Sequence, residues 1–284
     1  MTRQILISAQ ELSSALVDKA CIVVDCRFDL SDPGAGYRSY LEGHIPTAVY
    51  ANLDDDLSSP VGDNTGRHPL PDAHSFAAFL ARCGWQQGDS LIAYDNAGGA
   101  IAARLWWLMK YFGHDCAALL DGGIGSWQSA AYDLEDGHAS ISETAVSSFH
   151  ARSELVVSAP DILEFISSQS SVMLDVRASE RYRGEVEPLD TVAGHIPGSF
   201  NYPLHLSLAD DGKFKPKQEI RDGLLAIIGS RRAENVAYMC GSGVTACHTI
   251  FAAELAGLGG SRLYAGSWSE WIRDASRPVS TIAA

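Results

Sequence analysis

Residues 235–252 read NVAYMCGSGVTACHTIFA. The apolar run Val236 to Met239 has the length and composition of a buried strand, Cys240 to Ala246 form a glycine-containing loop, and a helical pattern follows from Cys247 to Leu255. A strand passing through a short loop into a helix is the unit from which parallel sheets are built. The same unit occurs earlier as SLIAYDNAGGAIAARLWW, residues 90–107, with Asp95 where the later copy has Cys240. Three more blocks extend the repeat. IVVDCR (22–27) returns as VMLDVR (172–177) and pairs Asp25 with Asp175. EGHIPTAVYANL (42–53) returns as AGHIPGSFNYPL (193–204) and pairs His44 with His195. LLDGGIGSW (119–127) returns as RLYAGSWSEW (262–271), so the blocks keep one order in both halves.

The fold class expected is α/β, with two similar domains, each a mainly parallel sheet flanked by helices whose sites form beyond the carboxyl ends of the strands. A chain of 284 residues suits two such domains. The stretch Glu135 to Ala151 lacks apolar periodicity and is rich in Ser, Thr and Ala, which reads as a surface linker. The expected bounds are 1–140 for the N-terminal domain, 141–151 for the linker and 152–284 for the C-terminal domain.

With 35 acidic and 21 basic residues the formal net charge is -14. Such a field repels phosphate backbones, so nucleic acid is not an expected partner. No 18-residue apolar run occurs and polar residues interrupt the start of the chain, so neither a membrane span nor a secretory leader is expected and the cytoplasm is the expected location. The cysteines at 21, 26, 83, 116, 240 and 247 form no CxxC pair. Neither a metal site, a cofactor nor a disulfide framework is indicated, and most of these thiols should be small buried hydrophobes.

Cys240 is the exception. At the junction of strand and helix, several backbone N–H groups can turn toward one point, and Gly241 and Gly243 are expected to supply the positive φ angles this needs. Those dipoles favour a thiolate, the nucleophilic form of cysteine. Asp95 occupies the same turn without a thiol, which implies one active and one inactive domain. Cys247 falls inside the helix and reads as structural. A cysteine-dependent phosphatase would need an arginine closing the loop to clamp a phosphoryl group, and that position is Ala246. His44, His195, Asp25 and Asp175 recur in both halves, including the one without a nucleophile, so they read as structural, the aspartates pairing with Arg27 and Arg177. Trp106 and Trp107 read as packing residues.

The Asp-x-Arg strands, the paired Gly-His-Ile-Pro turns, the terminal Gly-x-x-x-Trp segments and the CGSGVTA loop resemble the tandem rhodanese sulfurtransferases over nearly the whole chain, and the loop itself resembles that of the 3-mercaptopyruvate enzymes. The resemblance implies that Cys240 takes sulfur from a donor as a persulfide and passes it to a thiol, cyanide or a thioredoxin-like reductant. It implies substrate contacts from the loop residues Gly241, Gly243, Val244 and Thr245 and from Arg181, a proton relay through Ser242, and a facing His68 with Asp54 as its acidic partner. Ser242 and Thr245 could instead cap the following helix. Arg67, beside His68, could line the site. A second donor-binding arginine often stands where this chain has Asp190, which leaves Arg183 as the nearest substitute. Thiosulfate enzymes of the family carry basic residues after the cysteine, whereas Gly241 and Ser242 are neutral; 3-mercaptopyruvate, a monoanion, is therefore the expected donor, with thiosulfate the alternative and a non-catalytic sulfur-carrier or regulatory module a third reading.

Overall fold

The computed structural model describes residues 4–145, 149–168 and 170–282. The chain divides into two compact units. Unit 1 comprises residues 1–59, 70–152 and 210–214; unit 2 comprises 60–69, 153–209 and 215–284.

In unit 1 the strands are β1 (Leu6–Ile7), β2 (Cys21–Asp25), β3 (Val49–Tyr50), β4 (Ser90–Tyr94) and β5 (Ala117–Leu120), ordered β1-β5-β4-β2-β3. All pairs are parallel, with Asp25 in register with Tyr94 and Tyr50. The helices are α1 (Ala9–Val17), α2 (Ala35–Glu42), α3 (Ala73–Arg82), α4 (Ala102–Tyr111) and α5 (Gly123–Ser129). Alternation along the strands fills both faces of the sheet. Val23, Ile92, Tyr94, Ala118 and Leu120 pack with Leu12 and Trp127. Val24, Leu91, Ala93 and Leu119, which point the other way, are also fully buried. A sheet covered on both sides explains why these strands read as continuous apolar runs. Trp106 and Trp107 are buried within α4, as packing residues should be.

Unit 2 repeats the design with β6 (Val172–Asp175), β7 (Phe200–Asn201), β8 (Val236–Met239) and β9 (Arg262–Leu263), ordered β7-β6-β8-β9 and parallel throughout. Its helices are α6 (Ala159–Ser167), α7 (Ser179–Arg183), α8 (Lys217–Ile228), α9 (Thr245–Leu255) and α10 (Ser267–Trp271). Met173, Ala237 and Met239 pack with Ile162, Tyr264, Trp268 and Trp271.

The recurring polar residues are structural in both units. Arg27 Nη2 donates to Asp25 at 2.5 Å and to the Gly43 carbonyl at 2.8 Å; Arg177 Nη2 donates to Asp175 at 2.6 Å and to the Gly194 carbonyl at 2.7 Å. His44 stacks on Tyr40 at 4.1 Å with Nδ1 on the Tyr40 carbonyl, and His195 stacks on Tyr182 at 4.0 Å with Nδ1 on the Tyr182 carbonyl. Each Asp-Arg pair thus ties a strand end to the Gly-His turn beside it.

The stretch expected as a linker lies along unit 1. The Gly137 N–H donates to the Leu41 carbonyl, the Thr144 N–H to Ala81 and the Arg152 N–H to Tyr111. Residues 146–148 of it fall outside the described residues. Among the described residues no helix is long and apolar enough to cross a membrane.

Candidate active site

Strand β8 delivers Cys240 to the carboxyl end of the unit 2 sheet, and α9 begins five residues later. Cys240 is 2% exposed. Its N–H donates to Ser267 Oγ at 3.0 Å, its carbonyl accepts from the Trp268 N–H at 3.1 Å, and the next carbonyl, of Gly241, accepts from the Ser269 N–H at 2.9 Å. The backbone of the nucleophile candidate is therefore held by the start of α10. Its sulfur accepts the Gly243 N–H at 3.1 Å. That bond needs the tight turn at Gly243, whose φ is +79° and where a Cβ would stand 2.2 Å from the Ala265 carbonyl oxygen. Gly241 is not in the left-handed region, contrary to the expectation that both loop glycines would be. It is small for another reason: a Cβ there would lie 3.0 Å from Arg67 Nη2 and 3.7 Å from both terminal nitrogens of Arg181.

The arginines reach the loop as parts of one cluster. Arg181, on α7, donates through Nε and Nη2 to Glu187 at 3.2 and 2.6 Å and through Nη2 to Asp190 at 3.3 Å. Arg67 donates through Nη1 to the other oxygen of Asp190, and its N–H donates to Ser269 Oγ at 3.0 Å. Arg177 Nη1 also reaches Glu187, at 3.3 Å, and its guanidinium lies 4.7 Å over the Trp268 ring. Burial pushes the Glu187 carboxyl up, but the Arg181 hydrogen bond and charge and the Leu189 and Asp190 N–H groups together outweigh it and hold the group below the ordinary glutamate value. Burial wins at Asp190, which is raised despite Arg67.

Next in the loop, Ser242 Oγ shares a 2.7 Å hydrogen bond with His68 Nδ1, and both residues are buried. The capping alternative for Ser242 and Thr245 does not hold. The residue preceding α9 is Val244, and no side chain caps that helix. Val244 is buried at the loop's end. Arg183 is turned to an exposed ion pair with Glu185, at 2.6 and 2.8 Å, so the arginine that stands beside Arg181 at the loop is Arg67. Asp54 belongs to unit 1, where its N–H donates to Asn52 Oδ1 and burial raises its carboxyl.

The matching turn in unit 1 provides a control. There the Asp95 carboxylate accepts four backbone N–H groups, from Ala97 and Gly99 on one oxygen and Ile101 and Ala102 on the other, at 2.8–2.9 Å. A strand-to-helix turn of this fold is thus an anion cradle, filled in unit 1 by its own side chain. Burial pushes Cys21 up to about 11 and raises Cys26 and Cys83, with nearby carboxylates, Asp25 and Asp95 at Cys26 and Asp56 at both, adding to the rise. Cys247 is fully buried in α9 with Sγ on the Gly243 carbonyl.

A family model described as "Rhodanese-like domain" matches residues 8–130 and again 158–274. The chain belongs to the rhodanese family. Its two rhodanese domains are similar over nearly their full extent to a probable 3-mercaptopyruvate sulfurtransferase from Pseudomonas aeruginosa, 43% identical over 280 residues, 97% of this chain and 98% of that protein. A putative thiosulfate sulfurtransferase from Mycobacterium tuberculosis is 38% identical, over 97% of this chain and 96% of that one. Among solved structures, the 3-mercaptopyruvate sulfurtransferase from Leishmania major superposes with a TM-score of 0.83 at 29% identity, covering 94% of this chain and 74% of that one.

Sequence reading missed Glu187 and Ser267. Glu187 is separated from its partners by loop residues of no periodic pattern. Ser267 had a signal in the repeat: its φ of +53° matches the +55° of Gly123, its counterpart ahead of Trp127. A serine in that conformation is strained, and here its hydroxyl holds the Cys240 N–H.

Proposed function

We propose that this rhodanese is a sulfurtransferase that moves sulfane sulfur from 3-mercaptopyruvate onto Cys240 and then to a thiol, cyanide or thioredoxin-like acceptor, releasing pyruvate. One observation carries the reading: Cys240 Sγ lies within a backbone N–H turn whose next residue, Gly241, sits under two guanidiniums. Such an arrangement binds a carboxylate beside a sulfur nucleophile.

In the first step Cys240 Sγ attacks the donor sulfur and the S–S bond forms. The donor C–S bond breaks, leaving the enolate of pyruvate, and the proton released by the Cys240 thiol completes the methyl group of pyruvate. Ser242 and His68 form the path we assign to that proton. In the second step a thiolate takes the outer sulfur and Cys240 returns to its thiolate form. Arg67 and Arg181 anchor the donor carboxylate, and the N–H groups of Gly241 to Thr245 receive the outer sulfur. The domain of residues 152–284 carries the nucleophile, and that of residues 1–140 is catalytically inactive in its own turn, because Asp95 fills that cradle. We assign the protein to the cytoplasm, where its six free cysteines stay reduced.

Thiosulfate is the second donor reading, favoured by the name of the Mycobacterium tuberculosis relative. The test is intact mass after incubation with 3-mercaptopyruvate. One added sulfur and one pyruvate per chain are expected in the native protein and neither in Cys240→Ser; sulfur transfer at the native rate in Cys240→Ser overturns the mechanism.

A further inference from the structure

Asp190 lies beneath the two arginines that face the loop. Its side chain is 4% exposed, against 29% for Arg67 and 16% for Arg181. One carboxylate oxygen accepts from Arg67 Nη1 and the other from Arg181 Nη2, while its own N–H donates to Glu187 Oε1 at 3.2 Å. Arg67 Nη2 and Arg181 Nη1 are thereby turned toward the same small residue, Gly241. Two guanidiniums converging on one point repel unless a carboxylate lies between them. The full cluster sets three cations, Arg67, Arg177 and Arg181, against three carboxylates, Asp175, Glu187 and Asp190.

We propose that Asp190 is the donor-specificity residue of the site: it fixes the arginine pair over Gly241 and cancels its surplus charge, so that the site accepts a monoanionic α-keto acid and disfavours the thiosulfate dianion. The inference rests on the sulfur-transfer reading above. Bringing a monoanion to a charge-balanced, partly buried cluster leaves one uncompensated charge, and a dianion leaves two. Removing the Asp190 charge moves the cluster to +1 and favours the dianion more than the monoanion.

The experiment compares kcat/KM for 3-mercaptopyruvate and for thiosulfate, with one acceptor, in the native protein, in Asp190→Asn and Asp190→Ser as neutral replacements of different size, and in Asp190→Glu as the charge-keeping control. We expect the ratio of 3-mercaptopyruvate to thiosulfate to fall by about tenfold in both neutral variants, mainly through a lower KM for thiosulfate, and to stay within about twofold of native in Asp190→Glu. A ratio unchanged in a neutral variant that still adds one sulfur at Cys240 overturns the role of Asp190. Native protein that takes sulfur from neither donor overturns the sulfur-transfer reading itself, and the two failures are told apart by the mass of the native protein.

Discussion

Glu187 holds Arg181 through two hydrogen bonds and Arg177 through a third, and its side chain is 4% exposed. Replacing it by Gln removes the charge and keeps the shape, which should cost about 1.5–3 kcal/mol near neutral pH. Because its folded-state value lies below the ordinary one, the ionised form stabilises the fold at any pH above the usual glutamate range, and that contribution is lost as pH falls through the lowered value. Urea midpoints of native protein and Glu187→Gln should therefore differ most at neutral pH and converge as the pH falls below the ordinary glutamate range; a gap that widens in acid contradicts this. At Ser242, loss of the hydroxyl should lower kcat about a hundredfold with little change in donor KM, measured as pyruvate release, if the proposed proton path runs through its bond to His68. Cys240 and Arg181 stand out in the sequence because the loop motif and the family resemblance point to them. Glu187 and Asp190 do not, since an acidic residue in a loop looks like any solvated carboxylate until its partners are placed.

At the level of elements, the two strand-to-helix turns are the same device with different contents. Asp95 satisfies four backbone donors that its removal would orphan inside a buried turn. Asp95→Ala should cost at least about 3 kcal/mol in a denaturation experiment while leaving sulfur loading of Cys240 intact in the folded protein. In the active turn Gly243→Ala meets both a positive φ and the Ala265 carbonyl. Sulfur loading should fall with it even though every side chain of the site is present. The existence of both turns was legible from the aligned strands and glycines. That only one loop glycine needs the left-handed conformation was not, because glycine is chosen equally for a φ angle and for room under a neighbour, and sequence does not separate the two.

Across the whole molecule, the compact units do not follow the halves of the chain. Residues 60–69 belong to unit 2, which is how Arg67 and His68 join Cys240 from more than 170 positions away. Gly66 makes that placement possible: a Cβ there would stand 2.4 Å from the Gly266 carbonyl oxygen and 2.9 Å from Ser269 Oγ. Gly66→Ala should raise donor KM and lower kcat together, because it displaces the segment carrying both the guanidinium and the imidazole, and steady-state kinetics with 3-mercaptopyruvate check it. The sequence by itself determined the repeat and the α/β class and singled out Cys240, because continuous apolar strands, glycines at strand ends and a cysteine in place of an aspartate are local patterns that folding keeps in order. Only the tertiary structure decided that Arg67 rather than Arg183 stands beside Arg181 over Gly241 and that Asp190 binds it. Ion pairs between distant segments depend on where loops without periodicity pass each other in space, and one-dimensional spacing carries no record of that.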